Sequence, residues 1–385
     1  MERERAVSTC SRVLRGRGAR LPRLVFLAWW PWFTACSSGA GGVVDDAGPA
    51  GQDSAAGATY NVGYQQLTFV DATRGRTLTT AIWYPTSDGT AGSSSEISNA
   101  TPDRSGAPYP LILFSHGWKG YARQASFQTE AWARHGFVVA APNHQYDTSS
   151  DYDPSYAAEM QFDRPADIRY VTDQMLSLNQ DPSSFLHGMM DPNAIGMSGH
   201  SFGGHTTMMI AGAPPNLDHL AEYCQSDPAC NWDICCLQDQ IQQLFPGQRV
   251  IDESDPRMKA ALPMAPDGYG WLQADGMAKI KVPIMIMAGG QDTLCPLNVQ
   301  QEPMYEGIVS TKYLLVLKNA DHMPWADMCS QLSATDDCPT LQAQIAETTT
   351  DFWMRYLKDD RTYGARLQSY VASQPGIDLR SSMIE

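Results

Sequence analysis

Apolar residues recur along this chain in short blocks rather than long stretches. Tyr64–Val70 and Thr77–Tyr84 alternate apolar and polar positions, as two half-buried strands do, and Asp71 to Arg76 joins them as a hairpin-like turn. The stretch 86–106, rich in Thr, Ser, Gly and Asn, reads as a loop. Six near-continuous apolar runs follow: Pro110–Phe114, Phe137–Ala141, Ala194–Met197, Ala260–Met264, Pro283–Ala288 and Tyr313–Leu317. Runs of this length, apolar throughout, fit strands covered on both faces of a parallel sheet. Between them lie segments expected to be helical: Ser126–Arg134, Arg164–Leu178 with a proline in its first turn, Gly203–Ala211 and Leu341–Leu357. Strands and helices in alternation predict an α/β class protein with a doubly wound, mostly parallel sheet and flanking helices. Residues 213–257 break the alternation with a cysteine-rich insertion that contains an amphipathic stretch, Leu237–Phe245, and is a candidate lid or pocket wall.

The N-terminus has a different pattern. Arg3, Arg5, Arg12, Arg15, Arg17, Arg20 and Arg23 precede the apolar run Leu24–Ala35. That run is too short for a membrane-spanning helix, which needs roughly 20 residues, and it suits a signal peptide over 1–35. Small residues around Cys36 make this cysteine a candidate lipidation site, with plain secretion as the alternative. Residues 36–59, mostly Gly, Ala, Ser and Asp, read as a flexible tether, which leaves 60–385 for one folded α/β domain. The expected location is therefore outside the cytoplasm, touching a membrane only through a lipid anchor. Export permits disulfides. After Cys10 and Cys36 are set aside, seven cysteines remain, enough for three bridges and one thiol. Cys329 and Cys338 are placed to close one loop, while Cys224, Cys230, Cys235 and Cys236 crowd the insertion. Zinc is the rival there, but no histidine stands at ligand spacing. No metal and no cofactor are expected. With a formal charge of −15, the chain lacks the basic footprint of a nucleic-acid binder.

The chemistry centres on Gly199-His-Ser201-Phe-Gly203, a G-x-S-x-G set between an apolar strand and a helical run. That context makes Ser201 a nucleophile candidate on a strained strand-to-helix turn. A serine needs a base, and this fold orders its triad as serine, acid, histidine. His205 lies one turn beyond Ser201 and His219 sits in the insertion. His322, in a loop after the last apolar strand, is the base candidate. Asp292, just past Ile284-Met-Ile-Met-Ala-Gly-Gly, is the preferred acid, and Asp267 the alternative. Phe202 and Trp118 are the candidate backbone donors to an oxyanion, the latter from the loop Ser115-His-Gly-Trp-Lys-Gly120. His116 is expected to brace that loop. Tyr121, Tyr269, Trp271 and Trp325 are candidates for a pocket wall or for the core. Asp151 and Asp153 have no calcium-binding frame around them, and Cys295 is the candidate unpaired thiol.

Several segments together carry a resemblance. They are Asp71-Ala-Thr-Arg-Gly-Arg-Thr-Leu, Ile82-Trp-Tyr-Pro85, Phe114-Ser-His-Gly117, His135-Gly-Phe-Val-Val-Ala-Ala-Pro142, Arg164-Pro-Ala-Asp167 and Gly199-His-Ser-Phe-Gly-Gly204. The chain over about 62–357 resembles the predicted dienelactone hydrolase-like proteins, relatives of the platelet-activating-factor acetylhydrolases. Phe114 to Ser126, Ala288 to Thr293 and Ala320 to His322 also resemble segments of bacterial cutinases and polyester hydrolases. The resemblance implies an α/β-hydrolase fold and carboxylic-ester hydrolysis through an acyl-enzyme, on small, medium, phospholipid-like or polymeric esters. It matches Ser201, Asp292 and His322 to the triad and Trp118 and Phe202 to the oxyanion positions. Acyl transfer or peptide hydrolysis on the same triad, or a non-catalytic surface lipoprotein, are the alternatives. The cysteine-rich insertion departs from the compact cutinases.

Overall fold

The computed structural model describes residues 60–384 except 94, 227–233 and 334–336. The expected signal peptide, tether and Cys36 lie outside the described residues. So does Cys230.

Among the described residues ten strands form one sheet: β1 (Asn61–Asp71), β2 (Arg76–Thr86), β3 (Ile97–Ser98), β4 (Tyr109–Ser115), β5 (Val138–Pro142), β6 (Met190–His200), β7 (Met258–Met264), β8 (Ile284–Gly289), β9 (Lys312–Leu317) and β10 (Ile377–Ser382). Their spatial order is β10-β9-β8-β7-β6-β4-β5-β2-β1-β3. The stretch from β9 through β6 and β4 to β5 is parallel throughout. Antiparallel pairs close each side, β10 on β9 and the β1–β2 hairpin on β5. Every residue of β4, β5 and β8 is buried, which is why these strands show no alternation in sequence.

Helices cover both faces: α1 (Ser126–Arg134), α2 (Ala157–Gln180), α3 (Phe202–Ile210), α4 (Leu217–Ser226), α5 (Ile234–Leu244), α6 (Tyr269–Met277), α7 (Gln301–Gly307), α8 (Cys329–Leu332), α9 (Cys338–Leu357) and α10 (Thr362–Ala372). Helix α1 and α9 share one apolar layer, where Trp132 meets Trp353 edge to face. On the other face α2 and α3 pack over β6 and β7. One expectation needs correction. Helix α2 begins at Ala157, not Arg164, so Pro165 stands inside it rather than in its first turn. Burial of Ala158, Met160 and Phe162 on the earlier turns carries the helix through the proline, whose missing N–H removes one helix bond. Helix α9 starts at its cysteine because the Asp337 carboxylate accepts from Thr340 N–H and a proline follows in the first turn.

The described part of the insertion is largely helical. A disulfide, Cys224–Cys235, ties α4 to α5. Leu217, Leu220, Ile241 and Ile251 are buried against Phe162 and Trp271. The second described disulfide, Cys329–Cys338, closes the loop before α9. Trp271 and Trp325 are fully enclosed in the core, so of the two readings open for them the core one applies. No helix among the described residues is long and apolar enough to cross a membrane.

Candidate active site

The carboxyl ends of the parallel strands place the candidate residues, as they do in open α/β sheets. Ser201 follows β6 directly, with φ 55° and ψ −118°. That backbone conformation is rare for a residue with a side chain and strains the turn. It is held because the chain reverses from strand to helix within one residue. The reversal brings β4 and α3 so close that a Cβ on Gly203 would sit 1.9 Å from the Ser115 carbonyl oxygen. On Gly199 it would sit 2.4 Å from that of Gly203. Glycine at both positions is therefore a packing requirement.

His322 lies in the loop after β9 and Asp292 in the loop after β8. The Ser201 Oγ is 2.8 Å from His322 Nε2, and His322 Nδ1 is 2.7 Å from Asp292 Oδ2. All three are nearly buried. Asp292 Oδ1 accepts from the backbone N–H groups of Leu294 and Cys295, both at 2.8 Å. One carboxylate oxygen is thus fixed by the backbone and the other is left for the imidazole. Since the carboxylate only accepts, Nδ1 carries the imidazole proton and Nε2 faces the serine as acceptor. This arrangement can draw a proton from the hydroxyl and support the imidazolium that results.

Asp267, the alternative acid, has no described hydrogen bond to His322; its Oδ1 lies 3.6 Å from His205 Nδ1, beyond hydrogen-bonding distance. His205 stacks edge to face on Trp271. Asp321, the neighbour of His322, accepts from Met323 N–H and closes a local turn. Asp151 likewise closes a turn, accepting from Tyr146 N–H and Thr148 N–H.

The loop expected to supply an oxyanion donor follows β4. In the sheet Ser115 is the register partner of Gly199, so the loop begins beside the serine turn. A Cβ on Gly117 would be 3.5 Å from the His200 carbonyl oxygen. Phe202 opens α3, and its N–H is one of the donors that a helix cannot satisfy internally. Trp118 is 41% exposed and crosses Tyr152 edge to face, with the Lys119 ammonium over both rings. Phe202 is the chain neighbour of Ser201, and Trp118 follows Gly117, which packs beside the His200 carbonyl.

Two buried polar chains hold this loop, and neither follows from the motif. Gly117 N–H donates to Gln124 Oε1 at 2.8 Å, and Gln124 Nε2 meets His200 Nδ1 at 2.6 Å. His200 Nε2 reaches the His322 carbonyl oxygen at 2.9 Å. The directions are unambiguous. Gly117 N–H can only donate, so the amide oxygen faces it and the amide N–H faces His200. His200 then accepts at Nδ1 and donates from Nε2. One chain of bonds thus runs from the oxyanion loop to the backbone of His322. Burial, with His322 next to it, holds the His200 pKa well below the usual histidine range, so the ring stays neutral.

The second chain repeats the residue types of the first site. Asp167 Oδ2 accepts from His144 Nδ1 at 3.0 Å, and His144 Nε2 accepts from Ser115 Oγ at 2.9 Å. Arg164 donates to Ser115 Oγ, to the His116 carbonyl and to Asp147. Asp147 also accepts from Lys119 N–H at 3.2 Å. Ser115, His144 and Asp167 are fully buried, so no substrate reaches this serine. Burial pushes His144 down to about 4. It would raise Asp167, but hydrogen bonds from His144 and Arg76 outweigh it and hold that carboxyl at about 2. His116 is enclosed in the same network, accepting from His144 N–H and donating to the Gly117 carbonyl, the bracing expected of it.

The sheet order, the serine turn and the loops at the strand ends define an α/β-hydrolase fold with a Ser–His–Asp constellation. Family comparison agrees. A PET hydrolase-like family model matches residues 246–377, taking in Asp292 and His322. A model of platelet-activating factor acetylhydrolase, isoform II, matches 91–167, taking in Trp118. Ser201 lies between the two. Cutinase est1 of Thermobifida alba is 26% identical over 216 residues, 56% of this chain and 53% of that protein. Cutinase 2 of Thermobifida cellulosilytica is 23% identical over 216 residues, 56% of this chain and 60% of that protein. Bis(hydroxyethyl) terephthalate hydrolase of Streptomyces coelicolor is 22% identical over 286 residues, 73% of this chain and 63% of that protein. The chain is an α/β-hydrolase related to cutinases and PET hydrolase-like proteins, and it spans between half and two thirds of the length of these relatives.

Proposed function

We propose that this protein is a serine carboxylic-ester hydrolase. The observation that carries the reading is the unbroken hydrogen-bond path from Ser201 Oγ through His322 to Asp292. His322 takes the Ser201 proton as Oγ attacks the ester carbonyl, and Asp292 stabilises the imidazolium formed. The N–H groups of Phe202 and Trp118 hold the oxyanion, as fixed donors aimed where the charge develops. His322 then protonates the departing alkoxide. Water, deprotonated by His322 in turn, releases the acid from the acyl-enzyme. Proteins similar to this chain bear the names cutinase and bis(hydroxyethyl) terephthalate hydrolase, which supports small esters and polyesters as the substrate class.

Hydrolysis of p-nitrophenyl esters from acetyl to palmitoyl, with and without Ser201→Ala, tests this. Activity lost in the variant is the expected result, and the best chain length measures the acyl site. Equal activity in both proteins would remove Ser201 from the mechanism. Adding an alcohol acceptor separates hydrolysis from acyl transfer, since a transferase would form the new ester in preference to the acid. We also propose export with a lipid on Cys36. A membrane-bound, acylated product that becomes soluble in Cys36→Ser supports the anchor, and an unmodified soluble protein refutes it.

A further inference from the structure

One thiol lies inside the site without a part in the reaction. Cys295 is buried and forms no disulfide. Its own N–H is bound to Asp292 Oδ1, which pins the residue beside the carboxylate. The ligand atoms that Asp292, Cys295 and His322 can offer all lie within 4.8 Å of one another. We propose that these three residues form a site for a thiophilic divalent cation, of the Zn²⁺ or Cd²⁺ type, whose binding switches the triad off. The inference rests on the triad assigned above.

The donor set selects the cation. One thiolate, one imidazole nitrogen and one carboxylate oxygen, with a fourth position open, is a combination that zinc-like ions accept. Calcium and magnesium want oxygen ligands only. Asp292 offers a single oxygen, because Oδ1 is already held by two backbone N–H groups. In a tetrahedral zinc site the ligand atoms lie roughly 3.5 Å apart. The Asp292–His322 contact of 2.7 Å must therefore open by roughly 0.8 Å, and Cys295 must close in by up to roughly 1.3 Å. Charge also balances, since a divalent cation is neutralised by one carboxylate and one thiolate. A bound cation takes the sulfur as its thiolate.

Inhibition follows from where the protons go. The metal bond at His322 Nδ1 displaces the proton held there, and the neutral ring carries its proton at Nε2 instead. The Cys295 proton leaves to solvent, so one proton is released in all. His322 Nε2–H then points at Ser201 Oγ as a donor and has no lone pair to accept the serine proton. The cation removes the general base without touching the serine or the substrate.

Cadmium is the probe, read in two ways. In Ser201→Ala the ultraviolet cadmium–thiolate charge-transfer band reports binding with no need for hydrolysis. It is expected at one cation per chain and lost when Cys295→Ala is added. With the serine in place, Cd²⁺ or Zn²⁺ is expected to inhibit ester hydrolysis reversibly, with recovery in chelator, and Ca²⁺ and Mg²⁺ to have no effect. In Cys295→Ala and Cys295→Val, measured against each variant's own metal-free rate, the inhibitory concentration should rise more than about a hundredfold, beyond what loss of a supporting partner produces. A band that survives Cys295→Ala, or equal inhibition of both cysteine variants and the parent, overturns the proposal. A normal band in a protein that hydrolyses no ester would instead count against the proposed function alone.

Discussion

Replacing Gln124 tests whether the oxyanion loop and the His322 loop are held as one unit. The side chain is buried and touches no candidate catalytic atom, yet it bridges Gly117 N–H and His200 Nδ1 at 2.8 and 2.6 Å. Gln124→Leu strands both groups away from water. Each unsatisfied buried group costs about 1–3 kcal/mol, so the fold should lose about 2–6 kcal/mol. If only about 1.4 kcal/mol of this appears as misplacement of Trp118 N–H or His322, kcat falls tenfold. The expected outcome is a ten- to hundredfold drop in kcat for p-nitrophenyl butyrate with KM little changed, and a lower denaturant midpoint. Gln124→Glu is more discriminating. It keeps the acceptor for Gly117 but turns a second oxygen towards His200 Nδ1. That contact is favourable only if His200 takes a second proton, as an imidazolium beside a carboxylate. The variant should therefore work at low pH and lose activity as pH rises and His200 gives up that proton. The parent, whose His200 is held neutral, should show no such alkaline limb. A folded Gln124→Leu within about twofold of the parent, together with a parental pH profile for Gln124→Glu, would refute the reasoning.

Other expectations follow from the same contacts. Asp292→Asn keeps a hydrogen bond to His322 but favours the wrong tautomer, so kcat should fall about ten-thousandfold with little change in melting temperature. A matching Asp267→Asn, whose partner is His205, should stay within about tenfold, and a larger effect there than at Asp292 would reverse the assignment. Gly203→Ala forces a methyl group against the Ser115 carbonyl and should destabilise the fold by at least about 3 kcal/mol, read from denaturant unfolding. Acid should unfold the protein through its buried histidines. His144 titrates at about 4 in the fold and near 6.5 when unfolded, so the unfolded chain binds the extra proton first. Stability is then present above about pH 6.5 and is lost as pH falls towards 4, by on the order of 3 kcal/mol from this residue. In His144→Asn, less stable throughout, the pH slope of the denaturant midpoint should drop by about one proton over that window.

Much of this site was legible in the sequence because its demands are local. Ser201 needs a strand, two glycines and a helix in a fixed order, and the apolar run before Gly199 supplied that context. Asp292 follows the apolar strand β8 and His322 follows β9, apolar from Tyr313 onward, so their place at strand ends could be read from pattern alone. Among the elements missed are short helices such as α6 and α7, and elements with little buried surface. Strand β10 buries only Ile377, and α10 buries only Leu367 and Val371, leaving no apolar run or stripe to find. The start of α2 was hidden by Pro165, a local helix breaker overridden by packing of Met160 and Phe162. The supporting chains were out of reach for a different reason. Gln124 and His200 are 76 residues apart, Ser115 and His144 are 29 apart, and only folding makes them partners. The position between Gly199 and Ser201 was the one available signal, since a polar residue there must find a buried partner.

The most direct test of the central claim is covalent. An activated diethyl p-nitrophenyl phosphate should transfer one diethylphosphoryl group to the protein, with release of p-nitrophenol and complete loss of esterase activity. Peptide mass spectrometry is expected to find the group on Ser201, with no labelling of Ser201→Ala and much slower labelling of Asp292→Asn. An active protein that resists the reagent, or one that carries the label on a different side chain, would contradict the account.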